Sequence, residues 1–427
     1  MKLAPFLAGV IGLGLSLSVA HAGDWPQWRG PDRDGVSKET GLLKTWPKAG
    51  PMLNWQVTDL GQGYSTPSVV GDHMFLVTNQ GMKDESVRAL SVKDGRDIWS
   101  QRIGKVGVNG IPPYPGARST PTVDGDFVYA LGSDGDLACL DLKVGNIIWH
   151  KSLRTDFGGE PGRWAYAESP LVDGDAVVCT PGGKKATIVA LNKTTGDVIW
   201  KSEIPEGDQA AYSSIIIVTT GNLKQYVQFL GKGLVGVDAK TGKLLWRYDK
   251  TAQNSMANIP TAEAYKNFLY SATGMGGCGL IALAVNGDSV AVHEVYFNKK
   301  LPNAIGGAVE INGFLYGTSK GGLQCVEFTT GKVTWQNHAV GAGSILFADG
   351  RLYLHGENGE VALVDCASNA YHELGRFSPP KPPANRKGAA WAYPVIANGS
   401  LYIYDYGTLW SYSVTSRIGG LETGVRR

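Results

Sequence analysis

From residue 65 onward, short apolar runs alternate with tight polar turns in a unit that keeps returning. Each unit opens on small polar residues and proline, then gives two apolar runs joined at Asp-Gly or Asn-Gly: STPTV-DGD-FVYAL at 119–131, ESPLV-DGD-AVVCT at 168–180, GAVEI-NG-FLYGT at 307–318. Those dipeptides tolerate the positive φ that a two-residue hairpin requires, so each pair of runs predicts a β-hairpin. A third apolar run follows, as in DLACLDL, then a turn ending in glycine and a last strand carrying tryptophan four residues later: VKDGRDIW at 92–99, LKVGNIIW at 142–149, NKTTGDVIW at 192–200, AKTGKLLW at 239–246 and FTTGKVTW at 328–335. One unit is therefore a four-stranded antiparallel meander.

The units begin at Ser65, Ser119, Glu168, Tyr212, Ile259, Gly306, Gly343 and Trp391. Their spacing of about 40 to 50 residues is that of propeller blades, and the 3.6-residue pattern of helical solenoids is missing. The fold class expected is all-β: one eight-bladed β-propeller over 52–415. Blades five and seven lack the tryptophan phrase, with VNGDSVAVHEV at 285–295 and CASNAYHELG at 366–375 in its place. Blade eight supplies only three strands, AYPVIANGSLYIYD and GTLWSYS, before a tail at 416–427. The missing outer strand is expected from Met52–Val57 at the other end of the chain, which closes the ring and removes an open edge. The tryptophans are expected to pack between neighbouring blades, a structural role.

Composition adds an address. The first 22 residues combine Lys2, an apolar run from Phe6 to Val19 and Ala20-His21-Ala22, the layout of a secretory signal cleaved near Ala22. A periplasmic or secreted chain without a transmembrane segment, and a monomer, is expected. Residues 23–51 form an aromatic leader whose Trp25 and Trp28 need burial against the body. A net charge of +2 gives no reason to invoke nucleic acid. The five cysteines are dispersed and odd in number, and most lie in apolar alternation, which favours buried thiols over a disulfide framework.

The tandem phrase [DNS]-x-x-[TD]-G-x-x-x-W resembles the pyrroloquinoline-quinone (PQQ) repeat over about residues 55–414, and DWPQWRGPDRDGVS at 24–37 resembles the leading segment of exported bacterial propellers of that kind. The resemblance implies one of two branches: quinoprotein dehydrogenases, which oxidise an alcohol or sugar with PQQ and calcium over the central channel, or cofactor-free binding propellers such as the outer-membrane assembly lipoprotein. The chain departs from the first in having no adjacent cysteine pair and no C-x-x-C-H segment, and from the second in lacking a lipid-bearing cysteine. The repeat reports blade packing, and one fold hosts many activities.

Other motifs dissolve on inspection. Gly274–Gly279 fits G-x-G-x-x-G but runs into the strand LIALAV rather than a helix. Gly317-Thr318-Ser319-Lys320-Gly321 lies in a hairpin, Asp32-Arg33-Asp34-Gly35 reads as a turn, and the scattered histidines have no zinc spacing.

A site is expected where the chain leads into the inner strands, around the channel mouth. Three loops there are long, 103–118, 154–168 and 376–390, and they precede blades two, three and eight, so they should build one raised wall. The side chains expected at the mouth are Tyr64, Arg118, Trp164, Tyr166, Glu168, Tyr212, Asn258, Asn303, Trp391 and Tyr393. They either plug the channel or hold a flat anionic ligand by stacking and a charge-assisted pair. Under the quinone resemblance, Arg118 would meet a carboxylate or carbonyl oxygen, Glu168 and an asparagine would suit calcium, and Trp164 or Trp391 would stack. Lys83, Lys184, Lys185 and Lys320 should make the face basic, suited to an anionic ligand or an acidic protein partner. Glu168 is the one carboxylate placed to abstract a proton, so a binding scaffold is the first expectation and a PQQ- and calcium-dependent dehydrogenase the second.

Overall fold

The computed structural model describes residues 23–287 and 289–416, so the expected signal at 1–22 and nearly all of the expected tail lie outside the described residues. Eight blades of four antiparallel strands follow one another around a ring, seven of them spanning 68–105, 122–152, 171–202, 216–248, 263–298, 308–337 and 343–377, and the eighth taking three strands from 395–413. The hairpins fall where the sequence puts them: Phe127–Leu131 pairs with Thr122–Asp124 across Asp-Gly, and Asn312 and Gly313 both take positive φ. Met52–Val57 completes the eighth blade, antiparallel to Thr408–Ser413 with Met52 opposite Ser413 and Val57 opposite Leu409. Ring closure thus joins the two ends of the chain.

The repeated phrase has a mechanical explanation. Five outer-strand indoles donate to a backbone carbonyl in the turn of the following blade: Trp55 to Val92 at 2.9 Å, Trp99 to Leu142 at 3.0 Å, Trp149 to Lys193 at 2.9 Å, Trp200 to Ala239 at 3.3 Å, Trp335 to Ala367 at 2.8 Å. The rings of Trp55, Trp99, Trp149 and Trp200 then lie over that blade's turn glycine, Gly95, Gly145, Gly196 and Gly242. At Gly145 a Cβ would stand 2.5 Å from the Trp99 ring, and the backbone φ is +76°. Glycine is required there on both counts.

The degenerate blades solve the same problem differently. In blade five Tyr296 stands opposite Leu280, at the tryptophan position, and its hydroxyl donates to Phe328 O at 3.0 Å. In blade seven that position is Gly375, opposite Leu363, and Trp46 of the leader fills the space, its N–H bonding Leu374 O at 2.9 Å and its ring packing edge-on to Phe377. Trp246 of blade four faces a blade-five turn without the glycine phrase, and its indole stays at home on Gln225 Oε1 at 2.6 Å.

The leader goes further than lying against the body. It bridges Trp25 to Val69 of blade one, accepts from Val123 of blade two at Pro26, sends Arg33 to the Ser169 and Pro170 carbonyls of blade three, and pairs Val36–Ser37 in parallel with the inner strand of blade seven. Arg29, 2% exposed, forms an ion pair with Glu263 of blade five and donates to Ala308 O of blade six. Residues 25–37 therefore occupy the central channel as a plug.

Replacing Gly145 by alanine is expected to cost about 1–3 kcal/mol, from the left-handed backbone plus the ring contact. Gly125→Ala, with a φ of +58° but nothing within 4 Å of the new Cβ, isolates the backbone part. Urea unfolding of both variants should give the larger loss at Gly145, and equal losses would remove the indole from the explanation.

Candidate functional site

The plug turns a through-channel into a cup whose floor includes Trp28, packed edge-on against Tyr393 with centroids 5.4 Å apart. Over it the long loops make one wall, each leaning on the next. Gly110 donates to Arg163 O at 2.8 Å and Trp164 Nε1 to Pro112 O at 2.8 Å, tying 103–118 to 154–168; Tyr114 meets Trp391 edge-on at 5.1 Å, tying it to the end of 376–390. Neighbouring rings continue from Tyr212 to Trp164 at 6.0 Å, to Tyr114 at 6.2 Å, and from Trp391 to Tyr64 at 5.0 Å. The result is an aromatic cage of about 290 Å³. A water takes about 30 Å³, so the space suits a ring or an apolar side chain.

Arg118 is the one charged side chain lining this cage. Its guanidinium is held by Asn109 Oδ1 at 2.7 Å, Gly116 O at 3.2 Å and Tyr114 O, and it stands 6.0 Å from the centre of the Tyr64 ring. No carboxylate among the described residues lies within ion-pair distance of it. Burial lowers its pKa, opposed by the fields of Tyr64 and Glu85. A fixed cation without a paired anion, among π-faces, favours an anionic guest.

Of the ten side chains expected at the mouth, Tyr64, Arg118, Trp164, Tyr212, Trp391 and Tyr393 line the cage, and Asn303 lines an adjoining hollow. Tyr166, Glu168 and Asn258 correct the expectation. Their side chains are buried elsewhere: Tyr166 donates to Pro181 O at 2.8 Å, Asn258 to Leu230 O at 2.6 Å, and Glu168 accepts from Thr180 N and from Gln228 Nε2 at 2.9 Å. The reason is the alternation of side chains along the segments that lead into the inner strands. Tyr64 and Thr66, Ala257 and Ile259, and Trp391 and Tyr393 face the cage, as does Ala167, so Glu168 and Asn258 fall on the alternate positions that point between blades. Trp28 and Tyr114 belong to the site and were missed, although the aromatic leader and the long loop that carry them were both legible. Lys320 lines the adjoining hollow, whereas Lys184 borders a separate depression with Glu203 and Glu206.

A calcium-bound quinone does not fit these residues. The aromatic walls and Arg118 suit a flat anion, but Glu168 and Asn258 are spent inside the blades, and no group of three His, Cys, Asp or Glu among the described residues is placed to hold a metal ion.

A closed eight-bladed PQQ-repeat propeller with a plugged channel defines the class. The family model described as outer membrane protein assembly factor BamB matches residues 36–165 and 83–337, and the chain belongs to that family. A BamB of Shewanella oneidensis is 24% identical over 236 residues, 55% of this chain and 54% of that protein, so the chain matches about half of its length. The crystal structure of BamB from Moraxella catarrhalis superposes with a TM-score of 0.57 at 15% identity, covering 87% of this chain and all of that one. Quinohemoprotein alcohol dehydrogenase from Comamonas testosteroni gives 0.64 at 13% identity over 95% and 82%. At such identities the structural likeness concerns the fold alone.

Proposed function

We propose that the protein is an exported binding propeller that captures a partner or ligand at its channel mouth without chemistry, in the manner of an assembly-factor scaffold. The observation that carries this reading is the cage itself, whose lining among the described residues holds one guanidinium and no carboxylate or histidine, the nearby Glu357 being engaged by Trp391 Nε1. Membership of the BamB family supports it, as does the signal-like layout of residues 1–22, from which a periplasmic or secreted address follows. Among the described residues no helix is long and apolar enough to cross a membrane.

The dehydrogenase reading stands second, supported by the flat aromatic walls around Arg118. Calorimetric titration of PQQ into the chain, with millimolar calcium and with chelator, separates the two. The expected result is no saturable calcium-dependent heat; binding near one equivalent, abolished by chelator, would replace the scaffold by an oxidoreductase.

A further inference from the structure

Beside the cage, over blades five and six, lies a larger hollow of about 660 Å³ that shares Trp164, Ala257, Ile259 and Ile305 with it. The two form one cleft with an aromatic end and a polar end. Three lysines line the polar end, Lys299, Lys300 and Lys320, and all three are exposed and without a carboxylate within 4 Å among the described residues. The single carboxylate of that hollow, Glu357, is turned toward the cage, where it accepts from Trp391 Nε1 at 3.2 Å. Between the lysines stands Gln324, only 3% exposed, whose amide orientation is set by donation to Lys300 O at 3.0 Å and Gln336 Oε1 at 3.1 Å. Its buried Oε1 has no donor among the described residues.

The rims point the same way. Val108 and Ile111 on one side, and Met256 and Met275 on the other, are 81%, 79%, 61% and 57% exposed. Large apolar side chains displayed around a pocket mark a contact surface for a protein chain more than for a small solute, which would end inside the walls.

We propose that this cleft takes an extended acidic segment of a partner protein. One aromatic or bulky apolar side chain enters the cage, and carboxylates lie against Lys299, Lys300 and Lys320. This rests on the reading that the face binds without reacting, and it names the occupant. Charge complementarity selects acidic over basic or neutral segments, because four cations on the cleft, Arg118 included, have no paired anion of their own.

The test uses the full secreted chain and three capped pentapeptides, EEFEE, QQFQQ and EEAEE, with tryptophan fluorescence reporting from Trp164 and Trp391. EEFEE should bind saturably, and about tenfold more tightly than either control. The triple variant K299A/K300A/K320A, exposed and therefore harmless to folding, should lose about tenfold, as should 0.5 M salt. Equal affinity for QQFQQ, an unchanged triple variant, or no saturation of EEFEE at millimolar concentration would overturn the inference. Phenylacetate distinguishes the two levels: if it binds at the cage while no peptide does, the binding reading stands and the peptide inference falls. Stoichiometric calcium-dependent PQQ binding would instead remove the reading beneath it.

Discussion

Replacing Arg29 by methionine is expected to destabilise the folded protein by about 3–5 kcal/mol. The guanidinium is 2% exposed and enclosed by groups that need it: Glu263 Oε1, Ala308 O and Asp34 O, the last at 2.8 Å. Burial pushes the Glu263 carboxyl up, and the facing guanidinium works against that rise, so removing the cation leaves a carboxyl and two carbonyls dry and undonated. Methionine retains much of the volume and isolates the electrostatic part. The double variant Arg29→Met with Glu263→Leu should recover most of the loss, since the penalty lies in the orphaned partner rather than in the pair. Urea midpoints measure both. A single variant as stable as the parent would mean that the plug contributes nothing to stability.

The plug matters to function through what stands on it. Trp28 precedes Arg29 and supplies part of the cage floor, so loosening residues 25–37 should open the channel from below and abolish binding at the cage before the ring itself unfolds. The blades need no plug to pair, because their closure is made by Met52–Val57 on the rim. Separating the two events needs one further readout, limited proteolysis of the leader in Arg29→Met at urea concentrations where the sheet signal is still native.

The repeating unit was legible because its physics is local. Asp-Gly turns, period-two alternation and a glycine four residues before tryptophan each report one contact within a blade or with the next. The depth of the leader was not. Its tryptophans announced burial, but Arg29 and Arg33 read as surface residues in any window of sequence, and only the arrangement of blades three, five and six supplies the carbonyls and the carboxylate that make an arginine cheap to bury. Likewise the mouth could be located but not its parity. The loops announced where a site lies, whereas Ala167 facing the cage and Glu168 facing away depends on a single-residue register. That one step moved Glu168, the carboxylate the sequence placed at the mouth, out of reach of a guest. Blade seven shows the reverse lesson: its lost tryptophan was real in sequence, and the compensation by Trp46 comes from more than 300 residues upstream.

Stability should fall as pH rises from 5 to 8, and two buried carboxyls set the sign. Burial pushes Glu85 up to about 7 although Ser133 donates to it twice, through N and Oγ, each at 2.6 Å. Burial does the same to Glu168, against donors from Thr180 and the field of Arg33. In the unfolded chain both release their protons near 4.5, so over the interval from there to about 7 the folded state holds protons that the unfolded state has lost. Their contribution is complete below pH 4.5 and is lost as pH climbs through 7, at about 3 kcal/mol for each carboxyl. Urea unfolding at pH 5 and pH 8 should show the difference, and Glu85→Gln with Glu168→Gln should reduce it by their share, leaving that of Glu263, which burial also raises; a parent curve that is flat or rises with pH would sink the assignment. The same titration reaches the cage. Arg118 and Asp136 are the charged neighbours that Glu85 feels, so ionising Glu85 above pH 7 gives the cage cation a competing internal anion. Phenylacetate should therefore bind more weakly at pH 8 than at pH 6 in the parent and equally well at both in Glu85→Gln, tying the stability of blade one to the charge that a guest meets.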